Sequence, residues 1–157
     1  MDRRSLYDRL GGAYPIALVV DRFSDALITN KFVGGGSMNP ELAEWHSEEY
    51  VTRLPGLKFM RTLWLCNLAG GPESIFSYPG KSLKEAHFHL HIRPSEFDAV
   101  ARELANALDY YNIPDKERNE TLDAFMAQKP DVTAGSRVTM QDSNLVLECP
   151  FGSEFRR

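Results

Sequence analysis

The segment spanning residues 78–98 constrains the fold most, because it places three histidines at alternate positions, His87, His89 and His91. On a β-strand, residues two apart share a face, so the three imidazoles could bind one metal ion and leave a position open for water. On an α-helix, residues two apart are rotated by about 200°. Only one of the three histidines could then face a given pocket.

The residues before His87 favour the helix. Ser82 is a plausible N-cap, and Glu85 follows at the spacing of a capping box. The residues between them are good helix formers. We therefore expect a short helix that ends near His87.

The residues after the histidines predict a break and a new helix. Pro94 disfavours a helical conformation for Arg93, so the chain should be extended there. Ser95 is then the expected N-cap of a second helix, with Asp98 supplying an acidic group in its first turn.

Helical periodicity extends over most of the chain up to about residue 126. Apolar residues recur at steps of three and four, which is typical of amphipathic helices. The Pro55-Gly56 pair should introduce a kink or a fresh start near Leu57, and Phe59 is expected in the core. The predicted fold class is all-α, with helices over residues 4–10, 14–30, 48–69, 96–111 and 115–126.

The connections between these helices carry chemically useful side chains. Residues 31–47 show no regular pattern, and the run Gly34 to Ser37 is predicted to be flexible. A turn at Asn39-Pro40 should lead into one or two helical turns, close to Trp45 and His46. The later loop, residues 72–81, contains three apolar side chains that we expect on the floor of a pocket: Ile75, Phe76 and Tyr78.

The C-terminal residues differ from the rest. We expect residues 1–132 to form the main domain and residues 133–157 an extension, in which apolar positions from Val138 to Phe151 could form a short β hairpin. The last six residues, 152–157, could be a remnant added in cloning.

Composition restricts the class of protein. A chain of 157 residues suits one domain, and its net charge of −4 argues against nucleic acid as a partner. No apolar run is long enough for a membrane span, and the N-terminus does not resemble a signal peptide, so the expected location is the cytoplasm. Cys66 and Cys149 form no disulfide framework, and Cys66 should pack as a small hydrophobe.

Three motifs together resemble the truncated haemoglobins, short globins built as a two-over-two helical sandwich. Residues 6–12, Leu-Tyr-Asp-Arg-Leu-Gly-Gly, resemble the opening helix of that family, and Gly70-Gly71-Pro72 resembles the motif that ends its distal helix. The run from Tyr78 to His87, followed by Phe97-Asp98-Ala99-Val100, is similar to its proximal region. The motifs occur in family order, frame residues 5 to about 132, and are most like the first group of these globins.

The resemblance implies a haem site. His87 would be the axial ligand of the haem iron, with its other ring nitrogen bonded to the carbonyl of Leu83 or Lys84. Lys81 and Arg93 would meet the haem propionates. Residues expected to bind the cofactor are Phe23, Leu57, Met60, Arg61, Trp64, Tyr78, Lys81, His87 and Arg93, with Arg61 or Met60 as the second distal residue according to the register.

The distal side departs from the family. Ser24 stands where relatives often carry a tyrosine, so the phenol that commonly bonds to bound oxygen is missing there. The donor could instead be Arg61, Tyr50, His46 or Ser24 itself. His46 could also close on the iron as a sixth ligand.

The resemblance implies a protein that reversibly binds dioxygen, or another diatomic ligand such as CO or NO, as an oxygen-binding or oxygen-transport globin. Nitric oxide dioxygenase activity would need an external reductase, since the chain has no flavin or NAD motif. The haem should be haem b, because no Cys-x-x-Cys-His attachment motif occurs. Two alternatives remain: a non-haem metal protein using the His87/His89/His91 run, and a haem-free helical interaction domain.

Overall fold

The computed structural model describes residues 3–47, 51–73 and 75–137, and within these ranges the chain is helical with no β-strand. The predicted hairpin after Val138 lies outside the described residues, as do Tyr50 and Cys149. A short 3-10 turn, Phe88–Leu90, follows the helix that ends at His87. The α-helices are α1 (Leu6–Arg9), α2 (Ala13–Thr29), α3 (Pro40–Trp45), α4 (Leu54–Leu68), α5 (Leu83–His87), α6 (Pro94–Tyr110), α7 (Asp115–Met126) and α8 (Lys129–Val132).

Helix α2 is the centre of the fold. It begins directly after Gly11 and Gly12, whose φ angles of 96° and 89° lie in the left-handed region that favours glycine. Its apolar stripe is buried and packs against both α4 and α6, while α6 also packs against α7. The pairs α2/α4 and α6/α7 are the two layers of a two-over-two sandwich, as the sequence predicted.

Helix α4 differs from its predicted form at its start. It begins at Leu54, ahead of the Pro55-Gly56 pair that was expected to interrupt it. Proline is tolerated there because the first amides of a helix have no partner within the helix. The prediction that Phe59 is a core residue is wrong, since 63% of its surface is exposed.

Helix α6 begins at Pro94, so the prediction of Ser95 as its N-cap is wrong. Arg93 occupies the cap position with an extended ψ of 153°, as expected before proline. The Glu96 carboxylate accepts a hydrogen bond from the Arg93 amide at 2.8 Å, so a side chain of the first turn satisfies the amide of the cap residue.

The connection between α2 and α3 packs closely against the end of α2 at Gly34, and the flexibility expected of the Gly34 to Ser37 run stays a prediction. A Cβ on Gly34 would lie 2.4 Å from the Ile28 carbonyl oxygen and 2.5 Å from that of Asn30. The Gly34 amide donates to the Asn30 carbonyl at 2.8 Å, and neighbouring Val33 is buried. Only glycine allows this close approach to the end of α2.

The interior contains two hydrophobic clusters. The larger one joins α2 to α6, α7 and α8, and the smaller one joins α1 to the opposite side of α2 and to the end of α4. Phe76 belongs to the smaller cluster and Ile75 is 67% exposed, so the prediction that both lie on the pocket floor is wrong. Cys66 is fully buried in the smaller cluster with a free thiol, as expected of a small hydrophobe.

In the described ranges, no helix combines the length and apolar character needed to cross a bilayer.

Candidate functional site

A cavity of about 320 Å³ lies within the larger cluster and opens to solvent on one side. Its walls come from α2, α4, α5, α6 and α7, together with α3 and α8 at the edges. Most lining side chains are apolar, so water gains few hydrogen bonds there. The candidate cofactor residues that line it are Phe23, Leu57, Met60, Arg61, Trp64, Tyr78 and His87.

Lys81 and Arg93 are exposed and do not line the cavity. Both flank the elements that carry His87, one before α5 and the other at the start of α6. Their long basic side chains remain candidates to pair with charged groups of a ligand, where those groups extend from the cavity towards solvent.

His87 enters the cavity from the last position of α5. The capping box predicted for this helix is present: the Ser82 hydroxyl accepts from the Glu85 amide at 3.2 Å, and the Glu85 carboxylate accepts from the Ser82 amide at 3.0 Å. His87 Nδ1 lies 2.7 Å from the Leu83 carbonyl oxygen, one of the two acceptors that the sequence predicted. The short helix therefore fixes the backbone of His87 through its cap and the imidazole ring through the bond to Leu83.

The electrostatic environment keeps the His87 ring neutral. Burial lowers its pKa, the Leu83 carbonyl opposes that effect, and the positive charge of Arg61 lowers it further. Because Nδ1 carries the proton donated to Leu83, the lone pair lies on Nε2. A neutral imidazole with a free Nε2 is the form that binds a metal ion.

The other two histidines do not join His87. His89 is exposed in the 3-10 turn. His91 adopts a left-handed φ of 49°, and its Nδ1 lies 2.9 Å from the Gly135 carbonyl oxygen. The strand required for a three-histidine site is absent from residues 83–92, and no metal-binding cluster of three side chains occurs in the described ranges. The prediction of a non-haem metal site on this run is wrong.

Arg61 and Ser24 meet on the opposite wall of the cavity. The Arg61 Nη1 donates to the Ser24 hydroxyl oxygen at 2.9 Å, and Ser24 is fully buried. The guanidinium carbon also lies 5.8 Å from the centre of the Phe23 ring. Burial lowers the pKa of Arg61 to about 10, so the group stays cationic at neutral pH.

His46 reaches the same cavity from the end of α3. Its Nδ1 lies 2.9 Å from the Leu42 carbonyl oxygen, so α3 holds this ring as α5 holds His87. Burial lowers the pKa of His46, and Arg61 lowers it further. Among the described residues that line the cavity, the basic side chains are His46, His87 and Arg61, and Glu96 is acidic.

An aromatic wall closes the inner end of the cavity. Phe125 stacks on Phe97 with ring centres 5.1 Å apart, and its edge meets Trp64 at 6.2 Å and Phe23 at 6.4 Å. The sequence identified Phe125 as an inward position of its helix, but not as the residue that joins the aromatic side chains of three other helices.

The sequence also missed the role of Asn39 and Glu96. Asn39 caps α3 and donates from its amide nitrogen to the Leu90 carbonyl and to the Glu96 carboxylate, both at 3.0 Å. An asparagine before proline and glutamate is a recognisable helix start, whereas its long-range partners leave no local signal. These bonds connect α3 to the turn after His87.

The arrangement suits a largely apolar group held by one imidazole, because the space is lined mostly by apolar side chains and faced by His87 on the α5 side. Comparisons with known proteins agree. The family model of the bacterial-like globins matches residues 5–134. The group 1 truncated haemoglobin GlbN of Mycolicibacterium paratuberculosis is 26% identical over 131 residues, which cover 83% of this chain and 85% of that protein.

Solved structures give the same fold. The truncated haemoglobin of Tetrahymena pyriformis in its Fe(III) form aligns with a TM-score of 0.68 at 22% identity, covering 82% of this chain and 97% of that one. The 2/2 haemoglobin of Synechococcus, solved in the cyanomet state with covalently attached haem, aligns with a TM-score of 0.69 at 23% identity, covering 83% and 99%.

The fold and the site define a haem-binding globin of the two-over-two class. The chain belongs to the bacterial-like globin family, and within it the chain is similar to group 1 truncated haemoglobins.

Proposed function

We propose that this globin holds one haem b through His87 and reversibly binds a diatomic ligand, with dioxygen as the first candidate and CO or NO as others. The observation that carries the proposal is the bond of 2.7 Å between His87 Nδ1 and the Leu83 carbonyl oxygen. That bond leaves Nε2 as the ligating nitrogen in an apolar cavity.

The residues present fit the cofactor. A haem needs an apolar slot and one neutral imidazole, and both are supplied by the cavity between α2, α4 and α6 and by the lowered pKa of His87. Haem b is proposed because the sequence has no Cys-x-x-Cys-His motif for a c-type attachment.

The haem iron would supply the binding position for the diatomic ligand and the capacity to oxidise nitric oxide to nitrate with dioxygen, and an external reductase would return the iron to its ferrous state. The chain's own residues perform the remaining tasks. Phe23, Trp64 and Phe125 exclude water from the slot, and Tyr78 closes one edge. Lys81 and Arg93, exposed beside α5, are proposed partners of the propionates.

The distal donor is best supplied by Arg61. Its guanidinium lines the cavity and is oriented by Ser24, whereas Ser24 itself is fully buried and does not line that cavity. His46 also lines the cavity and is a candidate sixth ligand, although its ring is bonded to the Leu42 carbonyl. The cytoplasmic location and the lack of a nucleic-acid partner stay predictions of the sequence.

The test is the absorption spectrum of the ferrous protein, with and without carbon monoxide, for the wild type, His87→Gly and His89→Ala. We expect the wild type to give a Soret band that shifts on adding carbon monoxide. His87→Gly should lose the signature of a proximal histidine and regain it when free imidazole is added. His89→Ala should match the wild type, because His89 is exposed two residues away.

A wild-type protein that takes up no haem would contradict the proposed function. Uptake with an unchanged proximal signature in His87→Gly would contradict the ligand assignment alone. The imidazole rescue separates loss of the ligand from misfolding, since a misfolded chain would not regain the spectrum.

A further inference from the structure

A second cavity of about 380 Å³ adjoins the haem cavity on its α2/α4 side. We define it by six of its lining residues: Ser24, Trp45, His46, Leu57, Met60 and Arg61. All of these except Ser24 also line the haem cavity. The two spaces therefore share a wall, and Arg61 stands in it.

Arg61 brings more hydrogen-bond donors to this wall than the protein uses. A guanidinium has five N–H donors, and the described residues accept from it only through Ser24. No carboxylate within the described ranges forms an ion pair with it. A buried cation without a counter-charge is unfavourable, and an anion would compensate for it.

The other titratable groups in this space leave it positive. Arg53 also lines the second cavity, near its exposed side. The described lining contains no aspartate or glutamate, so the local field favours an anion.

We propose that Arg61, oriented by Ser24, forms a binding site for a small monovalent oxyanion in the second cavity. The planar fork of a guanidinium matches two oxygens of such an ion and gives paired charge-assisted hydrogen bonds. A single charge balances a single arginine, and the apolar side chains of Leu57 and Met60 disfavour a strongly hydrated divalent ion. The site is made by the chain itself and goes beyond the proposed gas binding at the haem.

The test uses nitrate alone as the probe, with isothermal titration of the full chain in its ferric haem-loaded form. We expect Arg61→Met to raise the dissociation constant at least about tenfold, because bonds to a charged group are lost. Lys31→Met removes one exposed positive charge and should change the constant less than twofold. The Soret band should stay unchanged during the titration, which places the anion away from the iron.

Arg61→Lys provides a second variant if the methionine variant does not fold. Lysine keeps the charge but loses the fork, so nitrate should bind several-fold more weakly than to the wild type. Equal dissociation constants in the wild type and either folded Arg61 variant would overturn the proposal.

A haem propionate is the rival partner of Arg61. If a propionate pairs with the Arg61 guanidinium, nitrate will bind the haem-free chain but not the haem-loaded chain. That result would also overturn the proposal. The same titration on the haem-free chain separates the anion site at Arg61 from the proposed haem function. Nitrate binding there, in a protein that takes up no haem, would support the anion site while contradicting the proposed function.

Discussion

At the scale of single residues, burial and the charge of Arg61 together lower the pKa of two histidines. His46 and His87 lie on different helices, each ring bonded through Nδ1 to the carbonyl four residues earlier. Burial is the main cause of the lowered pKa of each, and Arg61 adds to both. Neutral rings are therefore a property of the folded state, and folding should become sensitive to acid.

We predict that the haem-free chain loses stability as the pH falls below about 6.5, the pKa of an unperturbed histidine. Between that value and the lowered pKa of the folded state, the unfolded chain takes up a proton that the folded chain does not, so the free energy of unfolding decreases. His46→Asn keeps a donor near the position of Nδ1 and removes the titration. Its loss of stability between pH 7.5 and pH 5, measured by urea unfolding, should be smaller than that of the wild type.

His89→Asn is the matched control, because it removes an exposed imidazole from the same protein. It should show the same difference between pH 7.5 and pH 5 as the wild type. If His46→Asn loses as much stability between pH 7.5 and pH 5 as the wild type, His46 does not contribute. The acid sensitivity would then come from His87 and the carboxylates.

Local residue patterns predicted the proximal side better than the distal side. Ser82, Glu85 and His87 lie within six positions of one another, so the cap, the helix and the Leu83 acceptor follow from short-range geometry. The bond between Arg61 and Ser24 joins residues 37 positions apart. Each was recognised as unusual by itself, but only the packing of α2 against α4 brings them together.

At the scale of elements, the position of α5 depends on a cap that belongs to another helix. Asn39 accepts from the Glu41 amide at 3.1 Å as the N-cap of α3, and its own amide group donates to Leu90 and Glu96. Glu96 in turn accepts from the Arg93 amide at the start of α6. One buried side chain thus connects the beginnings of α3 and α6 with the turn that follows His87.

We predict that Asn39→Ala destabilises the protein by about 2–4 kcal/mol, because it removes a cap and leaves the buried Glu96 carboxylate short of a donor. Ser82→Ala removes the cap of α5 at an exposed position and should cost only about 0.5–2 kcal/mol. Equilibrium unfolding in urea measures both. Equal costs would mean that the long-range bonds of Asn39 contribute nothing to the stability.

Predictions of helix boundaries failed where a side chain from elsewhere replaced the local signal. Ser95 had the right residue type for a cap, but Pro94 fits the first helical position and Glu96 caps the Arg93 amide. Phe59 fitted the broad apolar face of α4, yet the helix presents it to solvent. Periodicity locates a helix reliably, whereas its exact start and the width of its buried face depend on its neighbours.

At the scale of the whole molecule, the two hydrophobic clusters have different relations to the cofactor. The smaller cluster reaches the haem cavity with Val20 and Leu65 but is otherwise packed around Cys66, and burial raises the pKa of the Cys66 thiol to about 11. The larger cluster surrounds the cavity itself. Helix α5 has only five residues and packs mainly on the following turn and on α8. Few contacts therefore hold it against the rest of the protein.

We predict that haem ligation suppresses the local opening of α5. In the haem-free chain its amides, including that of Ala86 bonded to the Ser82 carbonyl, should exchange hydrogen much faster than amides around Cys66 in α4. Haem binding in the wild type should slow the α5 exchange by at least about tenfold, because His87 then connects the helix to the cofactor. Hydrogen exchange followed by mass spectrometry of the α5 and α4 peptides measures both.

His87→Gly loaded with haem and free imidazole separates that connection from the filling of the cavity. In this variant the cofactor is held by an imidazole that is not attached to the chain, so α5 should exchange as fast as in the haem-free protein while α4 keeps the protection of the loaded one. Slow exchange of α5 in the rescued variant would mean that packing against the haem, and not the bond from His87, closes the helix. The proximal helix would then be a wall of the cavity in the same sense as α2 and α6.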